Sequence, residues 1–383
     1  LPGTSIREVG DRKSLREFVF LPDKLPHPPC WVPPLYSDDM ALFDPEKNLA
    51  FRYCGVRLLL AYRNGKPVGR VAGIINRRAN SFRNENCARF GFLETGDDPE
   101  ITGALLSGLE SWARANGADS LIGPMGFTDQ DPQGMLVEGY DTAPLIATNY
   151  NSPEMPRIIE SLGYTGKVDY LCYRVDIPEE MPESHRRIAE RVGRGFRLLE
   201  FKKKKDLNPF IRPFLSLMND TYGHLHGFAP LDPDEMDQLA ARYMSFLEPD
   251  LIKGVEKDGQ VVGFFIAMPD ISPGIKRAKG RLFPFGFVHI LRELKRSRDL
   301  VLLLVGIRQD ARGRGLDALM AIALYESARR RGMKRAFFHQ ELEDNRMVMA
   351  ETLRVGAVPY KRARIYQKRC KGNSRVSGQQ ENS

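Results

Sequence analysis

One order of elements runs through the chain twice, and a duplicated unit constrains the fold more than composition does. The stretch LLLAYRNGKPVGRVAGII (58–75) reads as two strands around Asn64-Gly65, a pair suited to a two-residue hairpin turn. LIKGVEKDGQVVGFFIAM (251–268) repeats that form around Asp258-Gly259. LESWARANGADSLI (109–122) and LYESARRRGMKRAFF (324–338) each read as a helix, a glycine stop and a strand. PRIIESLGYTGKVDYLCYRV (156–175) and MAETLRVGAVPYKRARIYQK (349–368) form a third matched pair. Each copy therefore predicts hairpin, strand, helix, strand, helix, strand. The spacing between copies widens by about 21 residues before the second central helix and closes again after it. The second copy thus carries an insertion before that helix. The first carries one of similar size after its own, around GPMGFTDQDPQGMLVEGYD (123–141).

Strands mixed with helices in this order predict an α/β (α+β) chain of two tandem domains, 1–180 and 190–370, each a mixed, largely antiparallel sheet flanked by helices. The Pro- and Glu-rich stretch IPEEMPESHRR (177–187) is the expected boundary, and the polar, aperiodic 371–383 an expected disordered tail. A chain of 383 residues with 42% apolar content supports two cores. The five cysteines (Cys30, Cys54, Cys87, Cys172 and Cys370) are scattered without metal-ligand spacing. Free thiols in a reducing, cytoplasmic compartment and no metal are expected. No apolar run approaches the ~18 residues of a membrane span. The chain begins at Leu1 rather than Met, which leaves a removed leader open.

The chemistry concentrates in VGIRQDARGRGLDALM (305–320), where an apolar strand meets a helix through Arg312-Gly313-Arg314-Gly315. Glycines at such a junction let backbone N–H groups converge on one point, and the helix N-terminus adds its own unpaired donors and partial positive charge. Two guanidiniums complete an anion cradle suited to a diphosphate. Taken alone, the turn reads equally well as a tight loop with solvated arginines. It matches neither the phosphate-loop nor the dinucleotide pattern, for no Lys-Ser or Lys-Thr follows and the glycine spacing differs.

The turn resembles the acyl-CoA pyrophosphate loop of the GNAT acyltransferase superfamily, Arg/Gln-x-x-Gly-x-Gly/Ala, here Arg312-Gly313-Arg314-Gly315-Leu316 followed by Asp317 in place of a small residue. The resemblance spans about 196–369, and with the element order it implies a catalytic second domain that takes acyl-CoA as co-substrate. It implies that Arg312, Gly313, Arg314, Gly315 and Leu316 hold the diphosphate, and that Val305, Gly306 and Ile307 meet the thioester arm. A backbone N–H near Gly306, beside a strand irregularity, would polarise the thioester carbonyl. It also implies a CoA contact at Asn345 in ELEDNRMVM. The superfamily's thiolate-protonating Tyr is replaced here by Thr352, which leaves Tyr360 and Tyr366 as fallback donors. The first copy carries Glu94, Asp97 and Asp98 where phosphates would need donors, so it is expected to be degenerate: a structural partner or a wall of the acceptor site.

An alkyl amine is almost wholly protonated at neutral pH, a cost of roughly 4–5 kcal/mol that a base must meet. The strand VLLLVGI (301–307) holds no acid. The nearest candidates are His339, Glu341 and Glu343 in FFHQELEDN, which strand alternation would put on one face. His224 and His226 in NDTYGHLHGF form a second set. For each residue a solvated strand end or loop is the competing reading.

Net charge is +8, and the insertion 271–298 holds eight basic residues and one acid, Glu293. Lys276, Arg277, Lys279 and Arg281 precede the aromatic centre Phe283, Phe285 and Phe287. This is the composition of a segment lying on an anionic membrane surface, on the inner face for a cytoplasmic protein. A lid packed on its own domain is the equal alternative. No nucleic-acid-binding module is visible, so nucleic acid is not an expected partner. The expected function is N-acyl transfer from acyl-CoA to a primary amine, with a hydrophobic or lipid, sphingoid-like amine preferred. Among tandem GNAT proteins the chain is similar to bacterial ceramide synthases, which acylate such an amine. A soluble acetyl-CoA N-acetyltransferase acting on a small polar amine is one alternative, and a non-catalytic acyl-CoA-binding protein is another.

Overall fold

In a computed structural model that describes residues 3–180 and 195–370, with 183, 187, 191 and 192 between them, both hairpins close as the sequence predicts. Asn64 and Gly65 have φ of 52° and 75°, Asp258 and Gly259 of 51° and 78°. Two successive left-handed residues make the turn whose twist matches that of paired strands. The first copy runs β1 (Thr4–Glu8), α1 (Arg12–Val19), α2 (Tyr36–Leu42), β2 (Cys54–Arg63), β3 (Lys66–Asn76), α3 (Arg77–Arg83), β4 (Cys87–Glu94), α4 (Pro99–Ala115), β5 (Ser120–Gly123), β6 (Met135–Glu138), α5 (Glu154–Ser161) and β7 (Thr165–Asp176). The second runs β8 (Arg197–Glu200), α6 (Lys204–Tyr222), α7 (Pro233–Tyr243), β9 (Ile252–Lys257), β10 (Gln260–Pro269), α8 (Ser272–Arg277), α9 (Gly286–Arg296), β11 (Asp299–Ile307), α10 (Leu316–Arg330), β12 (Arg335–Leu342), α11 (Arg346–Arg354) and β13 (Val358–Arg369). The expected boundary lies partly, and the tail 371–383 wholly, outside the described residues.

Two separate sheets were the expectation, and the chain instead builds one. Its order is β1-β2-β3-β4-β5-β13-β7-β12-β11-β10-β9-β8, with β6 added to β13. The last strand of each copy has crossed over. β13 pairs antiparallel with β5 of the first copy, β7 pairs antiparallel with β12 of the second, and the two pair with each other at the centre. Asp169 of β7 fastens that joint by accepting from Arg364 Nε (2.7 Å) and Nη2 (2.8 Å) and Arg362 Nη1 (3.1 Å). The arginines hold its carboxyl below the usual range. Element periodicity registers each strand but not which edge it joins, so the exchange left no trace in the sequence.

Helices cover both faces. α4 lays Ile101, Leu105 and Leu109 on Leu59, Val71 and Phe90, and α10 lays Leu316, Leu319 and Met320 on Val255, Val262 and Phe265. Burying each such side chain contributes about 1.5–3 kcal/mol. On the other face of the second half, Phe214 and Leu217 of α6 meet Phe264, Val301 and Phe337, and this cluster also takes in Leu35 and Leu145 from the first half. The second copy's insertion forms α8 and α9.

Candidate active site

The parallel strands β11 and β12 stay paired only from Asp299↔Arg335 to Leu302↔Phe338. Beyond that point β11 keeps β10 as partner as far as Ile307, while β12 follows β7. The sheet therefore splits, and β11 turns a row of backbone groups into the gap. A register skip leaves Leu303 as an extra residue on β11, so the strand irregularity falls just ahead of Val305. The N–H of Val305 donates to the Tyr222 hydroxyl, and that hydroxyl donates to the Val305 carbonyl, both at 3.1 Å. Val305 thus presents a donor and an acceptor to the split, and Tyr222 reaches it from the end of α6. Gly306 has no alternative, since a Cβ there would lie 2.5 Å from the Phe264 ring.

Past Ile307 the chain reaches the glycine turn. Arg308 pairs with Asp310 (2.7 Å), and Arg312 Nε donates to the Ile307 carbonyl (3.1 Å), so both arginines are engaged away from Asp317. Gly313 and Gly315 hold φ of 70° and 82°, the left-handed region that favours glycine. No side chain caps α10 at Gly315, and the first helical bond runs from Leu319 N to Gly315 O (3.1 Å). The N–H groups of Leu316, Asp317 and Ala318 therefore have no intrahelical acceptor, and Arg312 and Arg314 stand exposed beside them. A Cβ at Gly313 would meet nothing within 4 Å. The turn is an open cradle at the mouth of the split.

The equivalent features of the first copy are closed. β4 and β5 also part, after Arg89↔Ile122. Their gap is filled by the protein itself: Met125 N donates to Phe90 O (2.8 Å), and Met125 and Phe127 are fully buried. Asp98 caps α4, accepting from Glu100 N and Ile101 N (both 3.0 Å). Burial pushes the Glu94 carboxyl up to about 7, with Arg70 drawing it down and Asp39 and Asp97 raising it further.

No protein-family model matches the chain. Over 375 residues it is 28% identical to a protein named bacterial ceramide synthase from Caulobacter vibrioides, covering 95% of this chain and 97% of that one. It is 26% identical over 373 residues to Protein YghO of Escherichia coli, covering 95% of each. Among solved structures it superposes on a tandem GNAT protein from the clavulanic acid biosynthesis pathway with a TM-score of 0.55, at 12% identity, over 96% of this chain and 99% of that one. The chain has the tandem GNAT fold.

Within this fold the expected bases do not gather. A register shift between Phe338 and Glu341 breaks the alternation that would have aligned His339, Glu341 and Glu343. His339 Nε2 donates to the Ile146 carbonyl of the first half (3.3 Å), and burial lowers its pKa. Glu341 turns to α11 and accepts from the Thr352 hydroxyl (3.1 Å). Glu343 lies past the end of β12 and pairs with Arg362 (2.7 Å). Thr352 is buried against the Glu341 carboxylate. Asn345 starts α11, its N–H donating to Leu342 O (3.1 Å) and its carbonyl accepting from Met349 N (3.0 Å). The Tyr366 hydroxyl donates to Glu160 (2.8 Å) within the first half, and the Tyr360 hydroxyl is buried without a partner. His224 is exposed. His226 is buried among Arg83, Arg89 and Lys167 of the first half, and burial pushes it down to about 3 with those charges adding, so it stays neutral.

The insertion divides its residues between two tasks. Lys276 binds the Pro29 carbonyl, Arg277 pairs with Glu293, and Arg281 pairs with Asp23. Three of the four cations expected at a membrane are thus engaged within the chain. Arg281 and Lys276 tie the insertion to the first half. Phe283 (81%) and Phe285 (74%) are instead largely exposed, with Phe287, Val288 and Leu291 beside them. The patch sits over Ile275, Ile290 and Leu294, which belong to the apolar cluster reaching Leu303, Leu304 and Tyr222 at the split. Sequence reasoning missed Tyr222, whose contact with Val305 joins residues far apart in the chain.

Proposed function

We propose that the chain is an acyl-CoA-dependent N-acyltransferase whose second half binds the thioester and whose acceptor is a hydrophobic, sphingoid-like primary amine drawn from an anionic membrane surface. One observation carries the thioester assignment. The split turns the Val305 backbone toward the gap, where only the Tyr222 hydroxyl is seen to meet it among the described residues, and ends at an uncapped helix N-terminus. In this reading the N–H groups after Gly313 and Gly315, with Arg312 and Arg314, hold the diphosphate. Val305, Gly306 and Ile307 align the thioester arm, Asn345 flanks it, and the Val305 N–H polarises the carbonyl in place of the Tyr222 hydroxyl.

The lipid acceptor is supported by the exposed phenylalanines, by their continuity with the apolar cluster at the split, and by the name of the Caulobacter relative. Among the described residues no helix is long and apolar enough to cross a membrane, so contact would be peripheral. Arg292, Lys295 and Arg296 of α9 are exposed and join Lys279 as the cations free to face lipid. Each contributes about 1 kcal/mol near an anionic surface. The inward engagement of Lys276, Arg277 and Arg281 favours the second reading, a soluble acetyltransferase for a small polar amine. Co-sedimentation with anionic vesicles separates the two. Binding that weakens with salt and is lost on changing Phe283, Phe285 and Phe287 to Ser, with acyl-CoA binding retained, is the expected result. A wild-type protein that ignores such vesicles at low salt leaves the soluble reading standing.

A further inference from the structure

The first half reaches into the second half's split. Its own gap is plugged by the segment after β5, and that segment continues toward β12. Gln340 Nε2 donates to the Gln133 carbonyl (3.0 Å), and His339 to that of Ile146. Between them and the plug lies a tight turn, in which Thr128 N donates to Asp131 Oδ2 (3.1 Å) and Gln130 N to Thr128 Oγ1 (3.2 Å). The turn presents Asp129. One of its oxygens, Oδ2, accepts from Gln130 Nε2 (2.9 Å), and the other, Oδ1, is buried with no side-chain partner among the described residues.

The turn after Tyr222, the residue seated on Val305, packs on this plug: Leu225 N donates to Tyr222 O (2.8 Å), and Leu225 lies against Met125 and against Tyr170 of β7. Burial raises both tyrosine hydroxyls, and the Asp129 charge adds to the rise in each. The Tyr170 hydroxyl and Gln133 Oε1 are likewise buried without a partner. Buried polar groups left unmatched are rare, because each costs about 1–3 kcal/mol. These unmatched groups belong to the plug and to the strand packed on it, and they leave polar capacity that the described residues do not meet. A bare Asp129 oxygen and two phenols suit an ammonium. β11 itself carries no acid after Asp299, so the proton of the acceptor has no other carboxylate on that strand to go to.

We propose that Asp129, contributed by the first half, is the base for acyl transfer in the second. The assignment rests on reading the chain as an acyl-CoA N-acyltransferase. Asp129 Oδ1 takes one proton from the acceptor ammonium beside Tyr222. The freed nitrogen lone pair forms the C–N bond at the thioester carbonyl carbon. The C–S bond breaks with its electron pair on sulfur, the second N–H proton ends on that thiolate, and Asp129 releases its proton to solvent. The balance is amide, thiol and one proton. Burial pushes the Asp129 carboxyl up to about 6, with its own backbone N–H, Gln130 and Arg89 opposing the rise and Asp131 adding to it, so it remains mostly ionised at neutral pH. The first copy, which has closed its own CoA site, thereby keeps a part in the reaction.

Thiol release from a long-chain acyl-CoA with a long-chain primary amine tests this, for wild type, D129N and D129E from about pH 5 to about pH 9. The wild-type kcat/KM should rise through an acid limb near 6. D129N should lose about a hundredfold or more in kcat at neutral pH, bind acyl-CoA as wild type does, and recover at high pH, where the amine deprotonates itself. D129E, which keeps a carboxylate, should lie between. A D129N rate within about threefold of wild type overturns the assignment and leaves the acyltransferase reading intact. If D129N cannot bind acyl-CoA, the wild-type profile decides, and a flat profile across the acid limb overturns the assignment. No thiol release by wild type with any amine overturns both.

Discussion

At the scale of single residues, local backbone physics governs the turn at Gly313 and Gly315. A left-handed backbone next to an uncapped helix start requires glycine, and glycine is visible as a letter. The same physics makes a prediction. Valine at either position would face a backbone region costing about 1–3 kcal/mol and would project a Cβ toward the diphosphate. Gly313 is exposed and its Cβ would meet no neighbour, so the fold should survive. Calorimetry should find CoA binding abolished in G313V and G315V while far-UV circular dichroism is unchanged, and intact binding in both variants would remove the diphosphate assignment. Asp129 and Tyr222 were illegible for the opposite reason. One sits in an insertion with no periodicity, the other at a helix end, and only tertiary packing seats Tyr222 on Val305 and brings the Asp129 charge to bear on Tyr222. An acid on β11 is what a sequence search looks for, and the base proposed above instead comes from the other copy.

Elements carry the difference between the copies. α4 and α10 are equivalent helices with opposite N-termini, one capped by Asp98 and the other open. Glu94, Asp97 and Asp98 were expected to repel phosphate by charge. In the structure Asp98 also consumes the donors a phosphate would need, and Met125 fills the gap where a thioester arm would lie. The hairpins and central helices could be read from turn residues and 3.6-residue periodicity. The bulge that separates His339 from Glu341 could not, since one extra residue leaves an alternating pattern looking intact. Inward ion pairs in the insertion were equally hidden, because composition counts charges without saying which have partners. CoA should therefore titrate with one site per chain. Removing the cap with Asp98→Ala should cost about 1 kcal/mol of stability and create no second site, because the plug remains. A stoichiometry of two in either protein would contradict the closed first copy.

For the whole molecule, the exchange of β7 and β13 turns two similar units into one structure. Tyr366 of β13 is fully buried in the first half's core, among Phe90, Ile101 and Tyr164. Leu171 and Tyr173 of β7 are buried with Ala357, and Phe338 of β12 packs against them. A first half cut at residue 180 would lose Tyr366, exposing apolar surface worth about 1.5–3 kcal/mol for that side chain, and would leave β5 as a bare edge. A second half starting at 190 would lose the partner of β12 in the same way. The exchange also bears on chemistry, since it holds the segment carrying Asp129 against the split that it serves. Expressed singly, 1–180 and 190–370 should be insoluble or aggregated. Expressed together, they should form a one-to-one complex that binds CoA and recovers activity, because each supplies the other's missing strand. Two halves that are each monomeric and cooperatively folded, by gel filtration and thermal melting, would show that the exchanged strands are dispensable and that each copy closes its own sheet.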